Sequence, residues 1–334
     1  MTANRVLIIG CGAIAGGYDA ERSPEQWPLS HAGAIARDDR FEIVACVDPN
    51  EAARTTFAKR WDVAVAAASL EALESASFAF DLIVVASPTS QHAAHLDWAL
   101  GMRPKVVFCE KPLARDIAQV RRISHAFDMA KIPLVVNYSR RWMPDLNALH
   151  DEIVGDEWGH LLSAVGTYSK GVVHNGTHML DLMMMFEMAA MQIGHVGPAF
   201  FDHWDEDPTV SALLFTGEGT PVHLVAGDSR AVTQFELVLN FSGGEIAIRD
   251  GGMRLETRRV IDSETFAGYR TLGPVHSVAG RYPEAMSAAY DNLAGVIARK
   301  AYPAWGKRNG FAAHEICEEI RLTALRNLKD ERLS

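Results

Sequence analysis

Val6-Leu-Ile-Ile-Gly10-Cys-Gly12-Ala-Ile-Ala15 is a buried-strand pattern that runs directly into Gly-x-Gly-x-x-Ala. A parallel strand that hands over to a helix in this way turns the first backbone N–H groups of the helix toward a pyrophosphate. Gly10 allows the tight turn, Gly12 lets phosphate approach the backbone with Ala13 and Ile14 beside it, and Ala15 is small enough for the helix to pack on the strand. A second strand pattern, Phe41-Glu-Ile-Val-Ala-Cys-Val-Asp48, ends in a carboxylate. An acid there accepts hydrogen bonds from the adenosine ribose hydroxyls and repels a 2′-phosphate, favouring NAD over NADP. The other reading of Asp48 is a strand-end turn residue ahead of Pro49. The spacing exceeds the usual ~20 residues. The excess falls in Tyr18 to Ser30, where Pro24 and Pro28 argue for a loop inserted before a helix that begins near His31.

Strand and helix patterns alternate through residue 137. Asp81-Leu-Ile-Val-Val-Ala86, Lys105-Val-Val-Phe-Cys109 and Pro133-Leu-Val-Val-Asn137 are short apolar runs of the kind buried on both faces of a sheet. Helical spacing occupies Ser90 to Leu100 and Arg115 to Ala130 between them. Residues 1–137 therefore read as a Rossmann-type, doubly wound parallel sheet. From Tyr138 the texture changes. A strand over Gly159 to Lys170 and a Met- and Leu-rich helix over Gly176 to Met188 precede short, partly alternating segments at Val210 to Phe215, Pro221 to Ala226, Phe235 to Phe241 and Glu245 to Arg249. Two helices, Pro283 to Lys300 and Gly310 to Asp330, follow. Residues 138–334 read as an α+β domain with a mainly antiparallel open sheet, so the chain as a whole is of the α/β class.

The 334 residues, 48% hydrophobic, are enough for two domains with real cores. A formal net charge of −10 argues against nucleic acid or an anionic membrane surface as the main partner. The absence of an apolar run of about 18 residues and of a basic-then-apolar N-terminus leads us to expect a cytoplasmic protein. Cys11, Cys46, Cys109 and Cys317 lack metal-ligand spacing and read as reduced thiols.

In an open α/β sheet ligands bind beyond the carboxyl ends of the strands. Three such ends carry polar sequence: Ser87-Pro88-Thr89, with His92 a turn later, Glu110-Lys111-Pro112, and Asn137-Tyr-Ser-Arg140-Arg141. Oxidation of a carbinol needs its hydroxyl proton removed, and a lysine whose pKa is lowered by burial or by a positive neighbour can take it, which singles out Lys111. The plain alternative is a surface Glu-Lys pair. In His174-Asn-Gly-Thr-His178-Met-Leu-Asp181, uninterrupted helical spacing would put His174, His178 and Asp181 on one face. Such a histidine can act as acid or base, or hydrogen-bond the reacting oxygen; it can also be a satisfied core residue. No Glu follows the first histidine as in the helical metalloprotease pattern, so no metal is expected. Asp181 reads as a supporting partner, and the methionines after it as core packing. Arg140, Arg141 and Lys170 offer positive charge, Asn175 a polar contact and Tyr168 a stacking surface for a substrate, or else salt bridges and packing.

Gly10-x-Gly12-x-x-Ala15, Ala86-Ser-Pro-Thr-x-x-His92, Glu110-Lys111-Pro112-Leu-Ala and Gly176-x-His178-x-x-Asp181 together resemble the glucose-fructose oxidoreductase/inositol dehydrogenase (Gfo/Idh/MocA) family. The resemblance covers the first ~190 residues well and the remainder only in outline. It implies a Rossmann domain followed by an α/β domain whose open sheet makes a homodimer or homotetramer. It also implies NAD(H) chemistry on a carbinol or carbonyl carbon of a sugar, cyclitol or nucleotide-linked sugar. On this resemblance Lys111 corresponds to the catalytic lysine and His178 to the histidine that works with it. Many members carry aspartate four residues before that histidine, where this chain has His174. Two other readings keep the fold: a glycosidase that oxidises its sugar transiently through bound NAD, and a non-catalytic dinucleotide sensor.

Overall fold

The computed structural model describes residues 2–331 except 24, 75–78, 115, 189, 302 and 304–306. The chain divides into two compact units, residues 1–142 with 283–311, and residues 143–282 with 312–334.

The first unit is built on six parallel strands, β1 (Asn4–Ile9), β2 (Phe41–Val47), β3 (Val65–Ala67), β4 (Leu82–Val85), β5 (Val106–Glu110) and β6 (Leu134–Asn137), in the order β3-β2-β1-β4-β5-β6. Every side chain of β4 is buried, as are those of Val106 to Cys109, because helices cover both faces of the sheet. The connecting helices are α1 (His31–Ile35), α2 (Glu51–Trp61), α3 (Glu71–Glu74), α4 (Thr89–Gly101) and α5 (Ile117–Ala130). Asn50 and Asp116 cap α2 and α5, accepting from the amides of Ala53 and Gln119. Strand order reverses between β1 and β4, and that switch opens the crevice into which the polar strand ends face.

The expected insertion is present, in a specific form. His31 N donates to Ile14 O and Ala32 N to Ala15 O, the bonds that residues 18 and 19 would make in an uninterrupted helix. The chain after Gly12 thus forms turns and a short 3-10 helix at Gly17–Asp19, and α1 stacks on those turns in helical register after the intervening loop. Asp19, buried, closes the loop by accepting from Leu29 N, Ser30 N and the Ser30 hydroxyl.

In the second unit, α6 (Pro144–Val154) precedes a mixed sheet of β7 (Leu161–Tyr168), β8 (Gln192–Val196), β9 (Ala212–Phe215), β10 (Pro221–Ala226), β11 (Phe235–Phe241), β12 (Gly244–Arg249), β13 (Arg254–Asp262), β14 (Arg270–Leu272) and β15 (His276–Ala279). The pair β7/β10 is parallel and every other pair is antiparallel. Helix α7 (Thr177–Met185) lies across β7. A Cβ at Gly166 would come within 2.7 Å of the Met179 and Met183 side chains, so the methionine run fills the core as read from sequence. Helix α8 (Ala285–Ile297) packs on α1 and β5 in the first unit. Pattern alone assigned this segment to the C-terminal domain; its buried face of Ala289, Tyr290 and Leu293 belongs instead beside the parallel sheet. Helix α9 (Lys307–Glu331) ends the described chain.

Candidate active site

At the nucleotide end, Gly10 has φ +97, and a Cβ there would stand 2.7 Å from Ala86 O and Ser87 N. The first turn therefore runs against the backbone that follows β4, which only glycine permits. At Gly12 a Cβ would meet nothing within 4 Å. Ala13 beside it is exposed and Ile14 half-buried. Asp48 is joined to this turn: its Oδ2 accepts from Cys11 N and its Oδ1 from Asn50 N, both at 2.8 Å. An open glycine surface with a carboxylate fixed at its rim fits a dinucleotide, Gly10 to Ile14 cradling phosphate and Asp48 meeting a ribose.

Behind the second strand end a buried network sets the backbone. Glu110 Oε1 lies 3.0 Å from His31 Nε2 and accepts from Asn137 Nδ2 at 2.7 Å. Asn137 Oδ1 in turn accepts from Trp142 Nε1, and His31 Nδ1 lies 3.1 Å from the Tyr290 hydroxyl. Burial pushes the Glu110 carboxyl up, yet the hydrogen bond and charge of His31, the Asn137 amide and the Lys111 ammonium outweigh it and hold the group below the usual carboxylate range. Asn137, expected at the cofactor, is buried and acts on Glu110 and Trp142 instead. His92 is corrected likewise. It lies on the buried face of α4 with Leu96 and Ala99, its Nδ1 2.8 Å from Pro112 O and its Nε2 2.8 Å from Ser87 O. Its ring staples the loop after β4 to the loop after β5 and has no surface left for a ligand. Ser87 and Thr89 remain half-buried and Pro88 exposed at the mouth of these loops, and the Ser87 hydroxyl sits 2.7 Å from His95 Nδ1. Lys111, half-buried, is thereby held between two anchored neighbours, Glu110 before it and the buried Pro112 after it.

The Glu110 network makes a prediction about acid stability. A depressed carboxyl contributes stability that is fully present above the unfolded value of 4.5 and is lost as pH falls through the lower folded value. At pH 7 Glu110→Gln should cost about 2 kcal/mol, the range of a charge-assisted hydrogen bond. The gap from wild type should close as pH drops toward 3, as read by thermal unfolding at each pH. A gap that widens in acid would contradict the assignment.

In the second unit, Tyr168 is fully buried and its hydroxyl donates to Val210 O. It shares the inward face of β7 with Ala164 and Gly166, so it is core and not a stacking surface for substrate. Arg141 is also buried, while Arg140 and Lys170 are half-exposed. Lys170 and Gly171 take left-handed φ values of +67 and +87, leading into a wide helical turn over Val172–Gly176. In that turn both Asn175 N and Gly176 N donate to Gly171 O. The turn breaks the uninterrupted spacing assumed for His174, His178 and Asp181. Residue 174 is placed instead by Asp207, whose Oδ2 lies 2.7 Å from His174 Nδ1 and also accepts from His174 N. Asn175 donates to Ser169 O, His178 is half-buried and Asp181 is buried. Sequence reasoning missed His31 as a partner of Glu110, Tyr290 as the partner of His31 behind it, and Asp207 as the partner of His174.

Residues 4–138 match the oxidoreductase family with NAD-binding Rossmann fold, Gfo/Idh/MocA. Over nearly the whole chain the protein is similar to an inositol 2-dehydrogenase of Rhizobium meliloti, 24% identical over 325 residues that cover 90% of this chain and 94% of that one. Its fold matches the WlbA dehydrogenase from Bordetella pertussis, solved with NADH and UDP-GlcNAcA, at a TM-score of 0.78 and 17% identity, covering 97% and 96% of the two chains. It also matches KijD10, a 3-ketoreductase from Actinomadura kijaniata solved with NADP and TDP-benzene, at a TM-score of 0.75 and 16% identity over 96% and 97%. The fold and its glycine turn define a dinucleotide-binding oxidoreductase. Residues 4–138 match the NAD-binding Rossmann domain of the Gfo/Idh/MocA family, and the whole chain shares the fold of its structural neighbours.

Proposed function

We propose that the protein transfers a hydride between a nicotinamide cofactor, NAD in preference to NADP, and a carbinol or carbonyl carbon of a sugar, cyclitol or nucleotide-linked sugar. The observation that carries this reading is the pairing of an open Gly10–Gly12 turn bearing Asp48 with a lysine anchored on both sides at the end of β5. The substrate class follows from the relatives, which include an inositol dehydrogenase and a dehydrogenase solved with a nucleotide sugar.

When bound, the nicotinamide supplies the two-electron hydride acceptor or donor. The protein's part is to hold the carbinol, keep its oxygen in a polar setting and move the proton. Lys111 can accept or return that proton, because a neutral amine has a lone pair and an ammonium has three donors. His178 hydrogen-bonds the same oxygen, and Arg140 and Lys170 orient the rest of the substrate. The half-exposed face of the second sheet, where Leu162, Phe215 and Val225 stand, is the surface through which we expect copies of the chain to associate.

The test is direct. Purified protein is mixed with NAD or NADP and a panel of cyclitols, aldoses, uronates and nucleotide sugars while reduced-nicotinamide absorbance is followed. We expect reduction with at least one polyol, faster with NAD. Sugar release without net reduction would point to the glycosidase, and cofactor binding without turnover on any compound to the sensor.

A further inference from the structure

We infer that Cys11 and Cys46 form a thiol pair that hydrogen peroxide closes to a disulfide, and that closure lowers the affinity of the glycine turn for a dinucleotide. The inference rests on the dinucleotide reading of that turn and lies wholly within the first unit.

Three observations carry it. First, the sheet brings the two residues together. Gly10 N donates to Val47 O and Cys11 N to Asp48 Oδ2, both at 2.8 Å, so the chain leaving β1 is laced to the end of β2. Cys46 pairs in register with Ile8, and because side chains alternate along a strand it faces the opposite side of the sheet from Ala45 and Val47, which pack with Leu7 and Ile9. On that side its thiol is hydrogen-bonded to the thiol of Cys11. Second, the pair can be reached. Cys11 lines a cavity of about 330 Å³ with Gly16, Gly17, Ala53, Thr56 and Trp61, which is room for a molecule the size of hydrogen peroxide. Cys46 is wholly buried, one thiol–thiol contact beyond Cys11. Third, one sulfur of the pair is readied to attack. The hydrogen bond from Cys11 holds the Cys46 thiol below its usual range, with help from the Arg54 guanidinium and against burial and the Asp48 carboxylate. The same hydrogen bond raises the Cys11 thiol, which therefore keeps its hydrogen. Cys109 and Cys317 differ on this point, since burial raises both.

The reaction balances with peroxide as the sole oxidant. The Cys46 sulfur attacks one peroxide oxygen, the O–O bond breaks, and the other oxygen leaves as water with the thiol proton, which makes a sulfenic acid. The Cys11 sulfur attacks that sulfur, the S–O bond breaks, and a second water leaves. Two thiols have then given two hydrogens and two electrons to one peroxide. A covalent bond holds two sulfurs closer than a hydrogen bond does, so closure draws Cys11 toward β2. On one side of Cys11 the backbone at Gly10 is packed against Ala86 and Ser87, while on the other nothing stands within 4 Å of a Cβ at Gly12. The displacement therefore passes to Gly12, where the dinucleotide reading puts the phosphate, and disturbs the bond of Cys11 N to Asp48.

The test follows the thiols and the nucleotide in the same samples. Reduced wild-type protein is treated with hydrogen peroxide, its remaining thiols are alkylated, and digests are weighed by mass spectrometry while NADH affinity is read by fluorescence. We expect a linked peptide joining Cys11 to Cys46, two hydrogens lighter than its parts, with Cys109 and Cys317 still alkylated. NADH affinity should fall at least about tenfold, and dithiothreitol should restore both thiols and affinity. Cys46→Ala lacks the partner sulfur, so its NADH affinity should be the same before and after peroxide; Cys46→Ser takes its place if the alanine variant does not fold. Peroxide that leaves both thiols intact, or that carries one of them to sulfinic acid without a linked peptide, overturns the pair. A linked peptide with unchanged NADH affinity, or an equal loss of affinity in Cys46→Ala, overturns the effect on the turn. Reduced wild-type protein that binds neither NADH nor NADPH overturns the dinucleotide reading itself, whatever the thiols do.

Discussion

Lys111→Ala is expected to bind NAD with near wild-type affinity and to turn over about a thousandfold more slowly, within the range that a positioned proton carrier contributes. The expectation follows from how the residue is held. Glu110 before it is fixed by His31 and Asn137, and the carbonyl of Pro112 after it lies 2.8 Å from His92 Nδ1, so truncating the side chain leaves the backbone path of the strand end intact. The glycine turn and Asp48 lie on other strands and keep their mutual bonds. Lys111→Arg is the informative companion. It keeps a positive charge but cannot give up its proton near neutrality, so it should fail almost as badly if Lys111 carries the proton. Cofactor affinity is read by quenching or enhancement of reduced-nicotinamide fluorescence and turnover by its absorbance. Equal turnover in the alanine variant would remove Lys111 from the mechanism.

The first sheet is largely legible in the sequence because its central strands β4 and β5 are buried on both faces, so their apolar runs are uninterrupted. Leu82–Val85 and Leu134–Asn137 fall inside the segments read for them. Strand β3, the three residues Val65–Ala67, is too short and too alanine-rich to stand out. Strand β13 is missed for a different reason. Arg254–Asp262 is mostly unburied and carries three arginines, a glutamate and an aspartate, so it has little apolar alternation to read. The loop over residues 18–30 is visible through its prolines and an overlong spacing, although the stacking of α1 on the preceding turns in helical register is a hydrogen-bonding fact that spacing only permits. Tyr168 shows the converse error. Its period-two register with Ala164 and Gly166 already places it inward, and its chemistry as an aromatic near a candidate site outweighed that pattern. Asp207 is illegible because its partner lies 33 positions away and nothing local marks it; only the left-handed glycine at 171 hints that something approaches closely there.

The two glycines of the nucleotide turn should separate folding from binding. Gly10→Ala would hold a side chain at φ +97 and press its Cβ to 2.7 Å from Ala86 O and Ser87 N. These are backbone atoms between two central strands, so they cannot swing aside as the end of a flexible side chain would. Left-handed strain of about 1–2 kcal/mol and overpacking of about 1–3 kcal/mol act together there, and we expect a loss of at least about 3 kcal/mol and a Tm lower by roughly 10 °C. Gly12→Ala meets no atom within 4 Å, so its thermal unfolding should be nearly that of wild type. Its effect should appear only when the cofactor is added. If phosphate approaches the backbone at residue 12, the extra methyl occupies that approach, and NAD affinity should fall at least about tenfold, a cost near 1.4 kcal/mol. A Gly12→Ala protein that is stable and binds NAD as wild type does would move the phosphate away from this turn. A Gly10→Ala protein of unchanged Tm would mean that the turn is not pressed against the end of β4.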